Sequence, residues 1–201
     1  MVRWYHAIVS AYGFWLPNDP RGSWSDFVRA WELFRFGGPA TTVSDKHNYA
    51  RDPHDAKFRR AMKSHLKYPA ARFNETSRAS VARGIELACS EFGFIIHAGA
   101  IGFDHVHLVT ERNPSRSIEQ VVAVLKARAT RQMNVDDTNP MNGFRQSDGA
   151  IPTPWGKSCW SVFINDEIQL RAAIDYVARH PTKEGLAPQH WKFITPFPNP
   201  V

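Results

Sequence analysis

FIIHAGAIGFDHVHLVTE, residues 94–111, holds two runs of aliphatic and β-branched residues joined by Gly102-Phe103-Asp104. Two such runs around a glycine-bearing turn predict a β-hairpin. On its second arm, residues two apart point to the same side of the sheet. His105 and His107 therefore share one face, and Val106 and Leu108 share the other. The aliphatic pair marks the core side. The imidazole pair is either incidental to a half-buried strand or two ligands of a divalent-metal site, which needs at least a third.

The flanking segments complete a pattern. Upstream, TSRASVARGIELACSEFG (76–93) has apolar residues at 81, 85, 88 and 92, a helical spacing, with Gly93 as its stop. Downstream, NPSRSIEQVVAVLKARATRQMN (113–134) carries the apolar stripe Ile118, Val121, Val122 and Leu125, with Ser115 or Ser117 able to cap it. RWYHAIVS (3–10) and CWSVFI (159–164) read as the first and last strands. NDEIQLRAAIDYVARHP (165–181) reads as a last helix, acidic in its first turn and ended by Pro181. The order predicts an α+β fold: a ferredoxin-like antiparallel sheet (βαββαβ) with an added C-terminal helix that bears a tyrosine. A long insertion, about residues 17–75, follows strand one, with short helices predicted at 24–36 and 54–67. The whole chain, 1–201, is expected to form a single domain.

Composition narrows the class. Of 201 residues 43% are hydrophobic, which suits a globular domain with a real core. No apolar run approaches a membrane span, and the N-terminus reads as a strand rather than a secretory leader. Cys89 and Cys159 make no disulfide framework, so a reducing, cytoplasmic setting is expected. The net charge of +6 points to an acidic partner, with nucleic acid first among them. Arg51, Lys57, Arg59, Arg60, Lys63, Lys67 and Arg72 stand against only Asp52 and Asp55 in one stretch, a solvated face or a weaker phosphate contact.

His180 is the most suggestive third ligand. Tyr176 lies four residues before it, so both project from one side of a helix, on the flank of the stripe Leu170, Ala173, Ile174 and Val177. Pro181 disfavours the helical conformation at residue 180, so the final turn is expected to be distorted. A tyrosine beside a metal and a basic surface suggests phosphoryl transfer, with the phenol as nucleophile.

At this point the residues resemble a known family. DHVHLV looks like the His-hydrophobic-His motif of the HUH nucleases. AIDYVARHPTKEGL is similar to the tyrosine helix of single-tyrosine transposases, especially the REP-associated tyrosine transposases, where the segment typically reads Tyr-Ile-x-x-Asn-Pro-x-x-x-Gly-Leu. Here Tyr176, Val177, Pro181, Gly185 and Leu186 follow that pattern, and His180 replaces the asparagine. The likeness extends over about residues 78–190 and includes the hairpin and the helix after it; YGFWLPNDPRGSW near the N-terminus is also similar to openings in this group. It implies a metal-dependent transposase that nicks and rejoins single-stranded DNA at hairpin-bearing sites through a covalent 5′-phosphotyrosine. Position by position, it implies His105, His107 and His180 as ligands of Mg²⁺ or Mn²⁺ and Tyr176 as nucleophile. Two departures stand out. His180 replaces an amide and would favour a softer ion, and Phe103 stands where proline is common.

Further expectations attach to this reading. Lys126, Arg128, Arg131 and Lys157 are candidate DNA contacts. Trp155, Trp160 and Phe163 either stack on unpaired bases or anchor the core. His6 and His97 are read as packing residues or as groups behind the ligands. The expected partner is hairpin-bearing single-stranded DNA, with action at the bacterial nucleoid and no membrane. Relatives work as homodimers or as monomers, and both remain open. Two other readings compete: a non-cleaving hairpin-DNA binding protein using the same groove, and a replication or mobilisation nuclease, which usually has a longer chain.

Overall fold

In a computed structural model of the chain, the described residues are 2–21, 23, 31–41 and 55–198. The elements are β1 (Trp4–Ala11), α1 (Trp31–Gly37), α2 (Ala56–Lys63), α3 (Glu75–Phe92), β2 (Ile96–Ile101), β3 (His105–Glu111), α4 (Ile118–Val135), β4 (Trp155–Ile164) and α5 (Glu167–Lys183). They fall into two compact units, one of Met1–Ala11 with Arg72–Val201 and one of Tyr12–Ala71.

The larger unit has the predicted ferredoxin-like topology. Its sheet has the order β2-β3-β1-β4 with every neighbouring pair antiparallel. The predicted hairpin is β2–β3, closed by the Gly102 N–H donating to the His105 carbonyl at 2.8 Å. The alternation along β3 assigns the two faces. Val106 and Leu108, with Val9 of β1, face Val81 and Ile85 of α3 and Leu125 and Ala129 of α4. On the opposite face Trp4, Ala98, Ala100, Val109 and Ile164 pack with Leu170 and Val177 of α5. The sheet thus lies between a two-helix layer and α5, and the histidine face of β3 is the α5 face. Among the described residues no helix is long and apolar enough to cross a membrane.

Local chemistry explains the helix ends. Asn74 caps α3 by accepting from the Ser77 N–H, and Gly93 stops it at φ 66°, a left-handed conformation that favours glycine. Of the two candidate serines Ser117 caps α4, in a reciprocal capping box with Gln120. Asp166 caps α5. Two boundaries differ from the sequence reading. β4 begins at Trp155, because an irregularity in β4 sets residues 156–158 against the single Ser10 of β1 and lets Trp155 pair with Ala11. α5 does not end at Pro181 but runs to Lys183. A proline in the last turn forfeits one backbone bond. Its ring is buried, and the turn is closed by the Leu186 N–H on the Pro181 carbonyl at 2.9 Å.

α3 packs against α4 at Gly84, where an added Cβ would lie 2.7 Å from the Ala129 nitrogen and the Arg128 carbonyl oxygen. A Gly84→Ala substitution would gain about 1 kcal/mol of helix propensity. It would also press on backbone that cannot step aside, at about 1–3 kcal/mol. The expected net effect is a lower melting temperature in thermal unfolding.

The smaller unit is built around Leu16, Leu33 of α1 and Met62 of α2, with Phe58 and Leu66 packed against them. Buried Asn18 donates to the Leu33 carbonyl at 2.8 Å. Both predicted helices are present, α1 over Trp31–Gly37 and α2 over Ala56–Lys63, the second shorter than predicted. Residues 24–30 of the first, and Arg51 and Asp52 of the basic stretch, lie outside the described residues.

Candidate metal centre and tyrosine helix

β3 delivers His105 and His107 to the α5 face. Its pairing with β1 sets Ser10 opposite His105, Ile8 opposite His107 and His6 opposite Val109. α5 crosses this face with its apolar stripe inward, so its flank brings Tyr176 and His180 over the two histidines. His105 Nε2 lies 2.9 Å from His180 Nε2. The His107 and His180 rings are 4.1 Å apart between centroids. One ring nitrogen from each of His105, His107 and His180 falls within 4.8 Å of the others. The three residues predicted as ligands, of which His105 and His180 are 75 positions apart in sequence, are therefore one cluster.

The cluster fits a divalent ion. His105 and His107 are 7% and 3% exposed, so their rings are held by the core. The Asp104 carboxylate lies 3.0 Å from His105 Nδ1; with Nδ1–H donating to it, the Nε2 lone pair faces the cluster. His107 Nδ1 meets His6 Nε2 at 2.9 Å, and with Nδ1–H donating to His6, His107 Nε2 remains for an ion. Nδ1 of His180 is buried without a hydrogen-bond partner. Three imidazoles of this kind suit first-row divalent ions.

The electrostatics favour the neutral form of His6, His107 and His180. Burial lowers the His6 pKa to about 4, with repulsion from His180 adding to it. Burial, then His105 and Lys183, lowers His180 to about 4. Burial, then His105, His180 and His6, pushes His107 far below the usual imidazole range. Neutral imidazole is the form that binds metal. The same shifts predict acid sensitivity of the metal-free protein. A histidine with a lowered folded-state pKa binds protons more readily when unfolded, so its contribution is complete above pH 6.5 and is lost as pH falls towards 4. At about 1.4 kcal/mol per pKa unit, His6 alone withdraws on the order of 3 kcal/mol across that window. Chemical denaturation of metal-free protein at pH 7 and pH 4.5 checks this, with a clear loss of stability expected at the lower pH.

Tyr176 is 41% exposed, so its ring is half-packed and half open to a ligand. Its centroid lies 5.7 Å from His180 and 5.8 Å from both His107 and His6. The Lys183 ammonium sits 4.6 Å from the ring centroid.

The candidate DNA contacts do not gather here. Lys126, Arg128 and Arg131 are on α4, whose layer covers the other face of the sheet. Lys126 donates to the Gly156 carbonyl at 2.9 Å, and Arg128 pairs with Glu91. Arg131 and Lys157 are exposed. Trp155 takes the core alternative: it is 5% exposed, and its indole N–H donates to Thr130 Oγ1 at 2.9 Å. Trp160 and Val162 are exposed on the histidine side, opposite Ile8 and His6 of β1. Phe163 is exposed on the other side, against Tyr5. His97 lies between the Thr195 carbonyl at 2.8 Å and Glu111 at 3.1 Å, a packing role.

The sequence reading missed Glu184, whose Oε1 lies 3.6 Å from His105 Nε2 and 3.7 Å from His180 Nε2. The available signal was its spacing of four residues from His180, the same spacing that pointed from Tyr176 to His180.

Comparison with known proteins gives the family of the chain. No curated protein matches the sequence. Among solved structures, the chain is similar to a REP-associated tyrosine transposase bound to a REP hairpin, at 15% identity and a TM-score of 0.45. That match covers 61% of this chain and 65% of the other, less than two thirds of the relative's length. The chain is also similar to a candidate transposase of Deinococcus radiodurans, at 13% identity and a TM-score of 0.36, covering 93% of this chain and 95% of that one. A family profile described as "Transposase IS200 like" matches residues 63–180, more than half of the chain. That span contains both β3 histidines and Tyr176 and closes on His180, and the chain belongs to the IS200-like transposase family.

Proposed function

We propose that this protein is a metal-dependent DNA transposase that cleaves and rejoins single-stranded DNA through Tyr176. The observation that carries the reading is a half-exposed tyrosine ring within 5.8 Å of two of three converging imidazoles. His105, His107 and His180 would hold the ion, Mg²⁺ or Mn²⁺. A bound divalent ion would polarise the phosphate and neutralise the charge that builds on it.

The remaining chemistry belongs to the chain. α5 holds the phenol beside the ligand cluster, and Lys183 and His6 flank its ring. Tyr176 Oη attacks phosphorus, loses its proton, and forms the Tyr–O–P bond as the P–O3′ bond breaks. The departing 3′ oxygen takes up a proton and becomes a free hydroxyl. The reverse attack by a 3′-hydroxyl restores the phosphodiester, so the energy of the bond is kept and no nucleotide triphosphate is consumed. Exposed Trp160, on the histidine side, offers a stacking surface for an unpaired base. The hairpin preference rests on the likeness of the Tyr176–Leu186 segment to the REP-associated enzymes.

The test is to incubate the protein with labelled, hairpin-bearing single strands and Mn²⁺ or Mg²⁺. A covalent protein–DNA adduct in denaturing gels is the expected result. Tight binding with no adduct under any divalent ion would instead identify a non-cleaving hairpin-binding protein.

A further inference from the structure

Glu184 has no part in the site as derived from the family pattern, and it lies beyond the span matched to that family. It is the C-cap residue of α5. A carboxylate there meets the negative end of the helix dipole, an unfavourable place for an anion unless a cation is near. Its Oε2 is shielded from solvent and has no hydrogen-bond partner, which is costly for a charged group. Its Oε1 lies 3.6 and 3.7 Å from His105 Nε2 and His180 Nε2, too far for hydrogen bonds to either. The hairpin turn makes room for it: a Cβ at Gly102 would collide with Oε2. A carboxylate is thus brought against two candidate ligands, and its Oε2 has no hydrogen-bond partner among the described residues.

We propose that Glu184 is a fourth ligand of the metal centre, and that the resulting three-imidazole, one-carboxylate set takes a first-row transition ion such as Mn²⁺ in preference to Mg²⁺. The spacing suits it. Ligand atoms about 2.1 Å from one ion stand roughly 3 to 3.5 Å from their neighbours, close to the 2.9, 3.6 and 3.7 Å among His105, His180 and Glu184. Three imidazoles favour transition ions over Mg²⁺, which demands an oxygen-rich shell. The carboxylate adds negative charge to an otherwise neutral ligand set. His180 and Glu184, one helical turn apart, then act together: the imidazole replaces the family's usual amide, and the carboxylate adds a ligand at a position where the family pattern specifies none.

This assignment rests on the reading of His105, His107 and His180 as a metal site, and calorimetry on the full-length metal-free protein separates the two. The wild type is expected to bind one Mn²⁺, more tightly than Mg²⁺. Glu184→Ala is expected to weaken Mn²⁺ at least tenfold and to narrow its advantage over Mg²⁺, with Glu184→Gln in between. The visible spectrum of bound Co²⁺ should change in Glu184→Ala, because a ligand is lost; a purely structural role would leave it unmoved. Less than tenfold weakening with an unchanged Co²⁺ spectrum overturns Glu184 as a ligand while leaving the histidine site standing. Absence of Mn²⁺ binding in the wild type overturns the histidine site and the Glu184 assignment with it. Glu184→Gln, nearly isosteric, guards against misfolding: its metal-free melting temperature is expected to equal or exceed the wild type's, since it removes a charge whose Oε2 is shielded and without a hydrogen-bond partner.

Discussion

Tyr176→Phe is expected to bind hairpin-bearing single strands like the wild type and to form no covalent adduct, with cleavage reduced by about 10³-fold or more. The substitution removes one oxygen and keeps the ring that touches His6, His107 and His180. A half-exposed position with no packing lost changes stability by less than about 0.5 kcal/mol. The effect should therefore fall almost entirely on chemistry. Removing a nucleophile is among the largest single losses an enzyme shows, and what survives is background catalysis by the rest of the site. Single-turnover cleavage with excess enzyme measures the step directly. Wild-type cleavage by Tyr176→Phe would exclude Tyr176 as nucleophile.

The second large effect is expected from His105→Ala combined with His107→Ala. Two of three imidazoles vanish, and metal affinity should fall more than about 100-fold, with cleavage falling alongside it. The two residues share one cluster, so either single substitution should cost nearly as much as both. His107→Ala empties a buried position and leaves His6 Nε2 without its partner, for a loss of about 1–3 kcal/mol. His105→Ala leaves His180 Nε2 without its 2.9 Å partner and is expected to cost a similar amount. Metal titration and chemical denaturation of the three variants check both statements.

Much of this was legible in the sequence because it is written in short-range chemistry. The period of two along DHVHLV put both histidines on one face, and the β2–β3 hairpin and the βαββαβ order followed from local patterns. Gly93, and Ser115 or Ser117, marked helix ends through stop and cap chemistry that needs no tertiary context. The spacing of four between Tyr176 and His180 placed both on one helix flank. The unread parts depend on what lies across space. β4 starts at Trp155 because residues 156–158 bulge against β1, and the pairing beyond that bulge is fixed only by the partner strand. Trp155 is buried because Thr130 and Phe73 meet it. Lys126 and Arg128 look free on a helical wheel, yet Gly156 and Glu91 hold them, on the layer away from the histidines. His6 stands behind His107 through a register fixed only when β1 pairs with β3. α5 continues past Pro181 because tertiary burial outweighs one lost hydrogen bond.

The central claim is that Tyr176 becomes covalently joined to DNA at the three-histidine cluster. Mass spectrometry of the trapped adduct tests it most directly. After digestion of DNA and protein, the peptide AAIDYVAR, residues 172–179, should carry the mass of a 5′-nucleotide on its tyrosine. The modification should disappear when His105 and His107 are replaced. A nucleotide on any other residue, or on Tyr176 in the double-histidine variant at the wild-type level, would contradict it.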